Sequence, residues 1–148
     1  MSSAHGGGED GRSSPAAGEA SLPPLLAVAY GGLLHQHLPD VVGHDGHRPA
    51  PGVYGSHPVR FAARSRAAEV MAGVDRVNSY HHQAVADPGG LAVTGWADDG
   101  VIEAVEDPAR RFVLGVQWHP ENEADPRPVA ALGRAAMSAR SHTRVSPG

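Results

Sequence analysis

Cysteine is absent from this 148-residue chain. That excludes a disulfide framework, a thiolate metal centre and a thiol nucleophile drawn from these residues. Lysine is absent too: all 12 basic residues are arginine, and Ile102 is the single isoleucine. With abundant alanine, this reads as the codon bias of a GC-rich genome rather than as a binding surface. No run of about 18 or more apolar residues occurs, so no transmembrane helix is expected and no membrane partner. A basic stripe is missing as well. Sixteen acidic residues bring the formal charge to -4 and the pI to about 6.2, so nucleic acid is not an expected partner. The first 20 residues lack a basic region followed by an apolar core and a small-residue cleavage site, and a cytoplasmic protein is expected.

Glycine and proline are plentiful, at 19 and 13 residues, while 41% of the chain is hydrophobic. The excess is therefore localised. Residues 1–21 offer almost no apolar surface to offset the entropy of ordering them and are expected to be a disordered tail, as are residues 141–148. From Leu22 the composition shifts. Leu25, Leu26, Val28, Leu33, Leu34 and Leu38 recur at helical spacing and predict a helix over 24–38, despite Gly31-Gly32. Residues 42–56 read as a long, functionally suspect loop. His57 to Ala62 reads as a strand, Ser65 as the N-cap of a short helix, and Arg76 to Tyr80 as an extended segment. Two alternating runs around Asp98-Asp99-Gly100 predict a hairpin. Phe112 to Val116 suits a covered strand that breaks at His119-Pro120, and Pro128 to Arg140 a closing helix.

Chemistry concentrates at Gly115-Val116-Gln117-Trp118-His119-Pro120-Glu121, a strand ending in a histidine and, two residues on, a glutamate. Open α/β sheets place ligands at the carboxyl ends of strands. On extended backbone residues i and i+2 share a side, so Glu121 can fix the tautomer of His119 while the other ring nitrogen faces a substrate. A surface His and Glu at a strand exit is the alternative. Ten histidines supply a rival reading: His35-x-His37, His44-x-x-His47 and His81-His82 have metal-like spacings, but lie in separate contexts and lack cysteine, so no metal site and no cofactor are expected. The polar cluster Asn78-Ser79-Tyr80-His81-His82-Gln83 either lines a pocket or caps a loop.

Five blocks in order, Gly31-Gly32 to Asp40, Gly55 to Val59, Val77 to Ala84, Asp99-Gly100 to Ala104 and Phe112 to Glu121, resemble the gamma-glutamyl-gamma-aminobutyrate hydrolase family of class I glutamine amidotransferase-like proteins. The resemblance implies an α/β fold, a partial flavodoxin-like sheet with flanking helices and without its N-terminal strands, over residues 22–140. It implies hydrolysis of gamma-glutamyl amide bonds of small molecules, with a place in polyamine catabolism, by a Cys-His-Glu triad. On it, His119 is the general acid/base, Glu121 its orienter, and His81, His82 and Gln83 border a pocket for a small gamma-glutamyl amide.

Where the family carries Gly-x-Cys-Arg-Gly-x-Gln, this sequence has Gly18, Ala20 and Pro24. Ser21, beside the vacant position, lacks the elbow that would supply a base and an oxyanion hole. The expectation is a C-terminal portion of such an enzyme, inactive alone, marginally stable and prone to self-association through an unpaired sheet edge. The competing expectation is a non-catalytic remnant or binding module that keeps the pocket.

Overall fold

The computed structural model describes residues 23–123 and 125–143. The expected N-terminal tail, with Gly18, Ala20 and Ser21, lies outside the described residues.

The first helix, α1, covers Pro23–Ala29. Its two prolines occupy the first turn, where a missing N–H costs no hydrogen bond. The helix stops at Gly31, whose φ of 80° lies in the left-handed region. Gly32 follows because no side chain fits there: a Cβ would stand 2.2 Å from the Asp87 carbonyl oxygen and 2.9 Å from that of Ala27. The predicted helix over 24–38 is therefore corrected to three elements, α1, a strand β1 at Leu33–His35 and a helix α2 at Leu38–Val42. The leucine spacing persisted across the break, but the glycine pair ends the helix. Leu33, which completed the apolar stripe, is exposed.

Strand β2, Gly55–Phe61, begins after the loop. Helix α3, Arg66–Val70, starts at Ser65, whose hydroxyl accepts from the Ala68 N–H at 3.0 Å. The N–H groups of Arg66 and Ala67 are satisfied by the two carboxylate oxygens of the buried Glu106, each at 3.2 Å. Strands β3, Arg76–Ser79, and β4, Ala84–Asp87, come next. The hairpin is formed by β5, Ala92–Ala97, and β6, Ile102–Glu106. Strand β7, Leu114–Val116, a 3-10 turn at Pro120–Asn122 and helix α4, Arg127–Thr143, complete the chain. Helix α4 runs three residues past the expected Arg140 and into the segment expected to be tail; residues 144–148 lie outside the described residues.

The strands form a five-stranded sheet of order β3-β2-β5-β6-β7 and a two-stranded sheet of β1 and β4. Every pairing is antiparallel among the described residues. Strand β2 pairs with β3 up to Pro58 and with β5 from Val59 onward, so the proline falls where the strand changes partner. The sheet curls. Asn78 on edge strand β3 reaches the chain just beyond the opposite edge strand β7, where its amide donates to the His119 carbonyl at 2.7 Å and accepts from the His119 N–H at 2.8 Å.

The main core gathers Val59, Met71, Val77, Leu114 and Trp118 with Ala67 of α3 and Ala131 of α4. Trp118 meets Phe61 edge-on at 5.9 Å. A second cluster, Leu38, Ala84, Ala97 and Val101, ties α2 to β4 and to the hairpin turn. The result is an α/β fold with helices flanking a curled sheet. No helix among the described residues is long and apolar enough to cross a membrane.

Candidate active site

The apolar run of β7 ends at Val116, and Gln117 still donates its N–H to the Glu103 carbonyl at 2.8 Å. Pro120 then stops strand extension and opens the 3-10 turn, with His119 at its head. His119 Nδ1 lies 2.7 Å from Glu121 Oε1. The two side chains meet through this turn, not through extended backbone as the spacing had suggested, since His119 has left the strand with φ -109° and ψ 86°. Burial pushes the Glu121 carboxyl up, but the imidazole bond, a bond from its own backbone N–H and the charge of His119 together hold the group below its ordinary value. With Nδ1–H donated to Glu121, Nε2 is the nitrogen left for a reacting group. Asn78 clamps the His119 backbone on both sides, and Tyr54 meets the ring edge-on at 5.7 Å.

His119 borders a cleft of about 450 Å³. Its walls include Pro24, Leu25 and Val28 of α1 on one side and Tyr80, His81, His82, Gln83 and Gln117 on the other. The start of α1 thus stands across the cleft from His119, and all five residues singled out from sequence except Glu121 line one mouth. None of its lining residues is Ser, Thr or Cys. Leu25 and Val28 are exposed and give the cleft an apolar wall. Gln83 donates its side-chain amide to Gln36 at 2.7 Å. His81 differs from its neighbours, because its ring is buried and both nitrogens are engaged inside the protein.

Those engagements reveal what spacing alone missed. Of the paired spacings His35-x-His37, His44-x-x-His47 and His81-His82, the second brings two rings together, His44 and His47 stacking at 5.9 Å and sharing one Asp99 oxygen at 3.2 and 2.7 Å. His47, His57, His81 and Glu103 bring one ligating atom each to within 4.8 Å of one another. The expectation that these histidines sit in separate contexts is thus corrected, because the sheet draws the loop before β2, β2 itself, the segment between β3 and β4, and β6 to one point. Burial lowers the His47 imidazole, a loss that its bond to Asp99 only partly offsets. Burial also opposes the charge on His57, yet the facing Glu103 raises it above its ordinary value. Glu103 is pushed up by complete burial and pulled further down by the His57 and His81 rings. The polar segment Asn78 to Gln83 therefore serves both places: Asn78, His82 and Gln83 at the cleft, Ser79 and His81 at the buried cluster.

Residues 24–121 match the model of the family described as Peptidase C26. The chain belongs to the peptidase C26 family. It is a class I glutamine amidotransferase-like protein. Over 115 residues it is 49% identical to a putative glutamine amidotransferase of Mycobacterium tuberculosis, covering 77% of this chain and 37% of that protein. Over 106 residues it is 37% identical to the gamma-glutamyl-gamma-aminobutyrate hydrolase of Escherichia coli, covering 65% of this chain and 41% of that protein. The chain thus spans well under half the length of these relatives. Among solved structures, the glutaminase domain of Trypanosoma brucei CTPS with bound acivicin superposes with a TM-score of 0.49 at 27% identity, over 57% of this chain and 39% of that one. The stretch matched to peptidase C26 takes in the cleft, the His119–Glu121 pair and the buried histidine cluster.

Proposed function

We propose that this chain contributes the histidine–glutamate pair and the substrate cleft of a gamma-glutamyl amide hydrolase, the activity named for its Escherichia coli relative. The supporting observation is the 2.7 Å His119–Glu121 bond at the mouth of a cleft walled by polar side chains on one side and α1 on the other. In this reading His119 Nε2 takes the proton of a nucleophile and later passes it to the leaving amine. Glu121 holds the Nδ1–H tautomer and stabilises the imidazolium formed in between. Gln83, Gln117 and His82 offer hydrogen bonds to the amino and carboxyl groups of the glutamyl moiety. The chain contains no cysteine and the cleft wall carries no hydroxyl of serine or threonine, so the nucleophile has to come from another segment or chain.

The described residues alone are therefore expected to release no amine from gamma-glutamyl-gamma-aminobutyrate. The decisive experiment joins residues 24–148 to the N-terminal portion of the Escherichia coli hydrolase, which restores a donor for the nucleophile. Amine release that vanishes in His119→Ala supports the proposal. A chimera that melts cooperatively but does not turn over, or one indifferent to His119→Ala, overturns it. The absence of a nucleophile among the lining residues also supports a second reading, a binding module that retains the cleft without the reaction. That reading is favoured if the isolated chain binds the substrate, by chemical-shift changes at Gln83 and Gln117, and the folded chimera stays inert.

A further inference from the structure

Beneath the cleft lies a group of side chains for which the hydrolytic reading has no use. Glu103 is completely buried, and neither of its carboxylate oxygens has a hydrogen-bond partner of acceptable geometry. An unpaired buried carboxylate is among the costliest groups a fold can carry. Around its Oε1 stand His57 Nε2 at 3.3 Å, His81 Nε2 at 3.4 Å and His47 Nδ1 at 3.5 Å, and His47 Nδ1 lies 3.2 Å from His81 Nε2.

The far side of each ring fixes the protons. His57 Nδ1 lies 2.9 Å from the Pro58 carbonyl and His81 Nδ1 lies 2.9 Å from the Gln83 carbonyl. A carbonyl only accepts, so both Nδ1 atoms carry hydrogen, and in the neutral rings both Nε2 atoms present a lone pair inward. His47 Nε2 lies 2.7 Å from the Asp99 carboxylate, which likewise turns its Nδ1 inward, with the Ser79 hydroxyl 3.2 Å away. With the three rings neutral and their inner nitrogens unprotonated, three lone pairs and an anion converge on one point.

That is an unfavourable arrangement unless something positive occupies the centre. Carbonyl or carboxylate acceptors behind every imidazole are the outer partners that orient histidines on a metal. Four ligands bonded at about 2.0–2.1 Å in a tetrahedron lie about 3.3–3.4 Å apart; the separations to Oε1 and between His47 and His81 match this, and all four atoms lie within 4.8 Å of one another. Glu103 and Asp99 together neutralise a dication, and a set of imidazoles with one carboxylate and no thiolate suits zinc rather than calcium or magnesium.

We propose that His47, His57, His81 and Glu103 bind one zinc-type divalent cation in a closed, structural site. Four protein ligands leave no open position for water, so the ion braces rather than catalyses. It ties the loop before β2 to β2, β6 and the segment that walls the cleft. The His81 N–H, bonded to the His47 carbonyl at 3.0 Å, already joins two of these pieces.

The test uses the full chain, stripped with chelator and then exposed to zinc chloride or cobalt(II) chloride. One equivalent of zinc per chain after gel filtration, a raised melting temperature and the strong visible bands of tetrahedral cobalt are expected. X-ray absorption of the zinc form should show imidazole-dominated four-coordination, a readout that needs no variant. Glu103→Gln, nearly isosteric, and His57→Ala should abolish stoichiometric uptake. Asp99→Asn should weaken it by about 10- to 100-fold, and His37→Ala, at an exposed histidine, should leave it unchanged. Failure of the folded chain to retain zinc, six-coordinate water-rich absorption, or uptake that survives Glu103→Gln and falls in His37→Ala would overturn the proposal in favour of protons shared within the cluster or of surface binding.

Discussion

The His119–Glu121 pair and the His47–His57–His81–Glu103 cluster are built from the same two residue types at opposite extremes of exposure. The Glu121 side chain is 67% exposed and that of Glu103 is 0% exposed. The first pair is made within one turn of chain and forms a short, well-aligned bond. The second draws on four separate parts of the chain and leaves its carboxylate unsatisfied. Exposure lets a histidine exchange protons with a ligand and with water, which suits transfer chemistry. Burial removes that option and makes each uncompensated charge a matter of stability. On the two proposals above, one region serves reaction and the other holds the molecule together.

The sharpest way to break this contrast is to exchange the readouts. In the active chimera, His119→Ala should lower turnover by about 10⁴-fold or more. The unfolding free energy should move by no more than about 0.5 kcal/mol, as for surface substitutions in general. A large stability loss there would erase the division of labour. Conversely, Glu103→Ala in zinc-containing buffer should cost about 3–5 kcal/mol in urea unfolding, since it removes one partner from a buried charged group. A near-neutral result would mean that the cluster carries no structural weight.

Asn78 bridges the two cases, because it is buried yet holds the backbone of the half-buried His119. Asn78→Ala should cost about 1–3 kcal/mol by leaving His119 backbone groups unpaired. It should also lower the chimera's turnover, whereas Asn78→Asp, which keeps one acceptor, should restore part of both. The smallest effect expected is one of pH. Glu121 titrates below its ordinary value in the folded chain, so the stability it contributes is fully present above the unfolded carboxylate range of about 4.3 and is lost as pH falls through the depressed folded value. A carbon-detected titration of the Glu121 carboxyl checks this. A midpoint above that of an unstructured glutamate would contradict the pairing with His119.

Legibility in the sequence followed the same divide. The hairpin around Asp99-Gly100, the Ser65 cap, the turn that Pro120 opens after β7 and the His-x-Glu spacing are all encoded over a few residues, and spacing reaches that far. Even there, the contact between His119 and Glu121 arises for another reason than the spacing suggested, since a turn and not a strand brings the side chains together. The helix expected over 24–38 failed because periodicity registers apolar faces but not the backbone collision that makes Gly32 obligatory. The buried cluster was invisible because no two of its members lie at a metal-like spacing. His47 and His81 are separated by 34 positions, and only sheet topology unites them. The one local hint was an ionisable residue in a strand with an otherwise buried pattern, Glu103 between Ile102 and Ala104.

The two-ended grip of Asn78 on His119 turns an open sheet into a latched hoop. In an open sheet each border strand frays on its own, and its amides exchange with solvent independently of those at the far border. A latched hoop shares that freedom, because the two Asn78 bonds are among those that releasing either border must undo. The His119 amide should therefore exchange its hydrogen at the pace of the Val77 and Ser79 amides in β3, far away in sequence, rather than at the pace of its neighbour Asn122. Strain entering at β3 is then felt at the imidazole, without any contact between the two side chains that carry it.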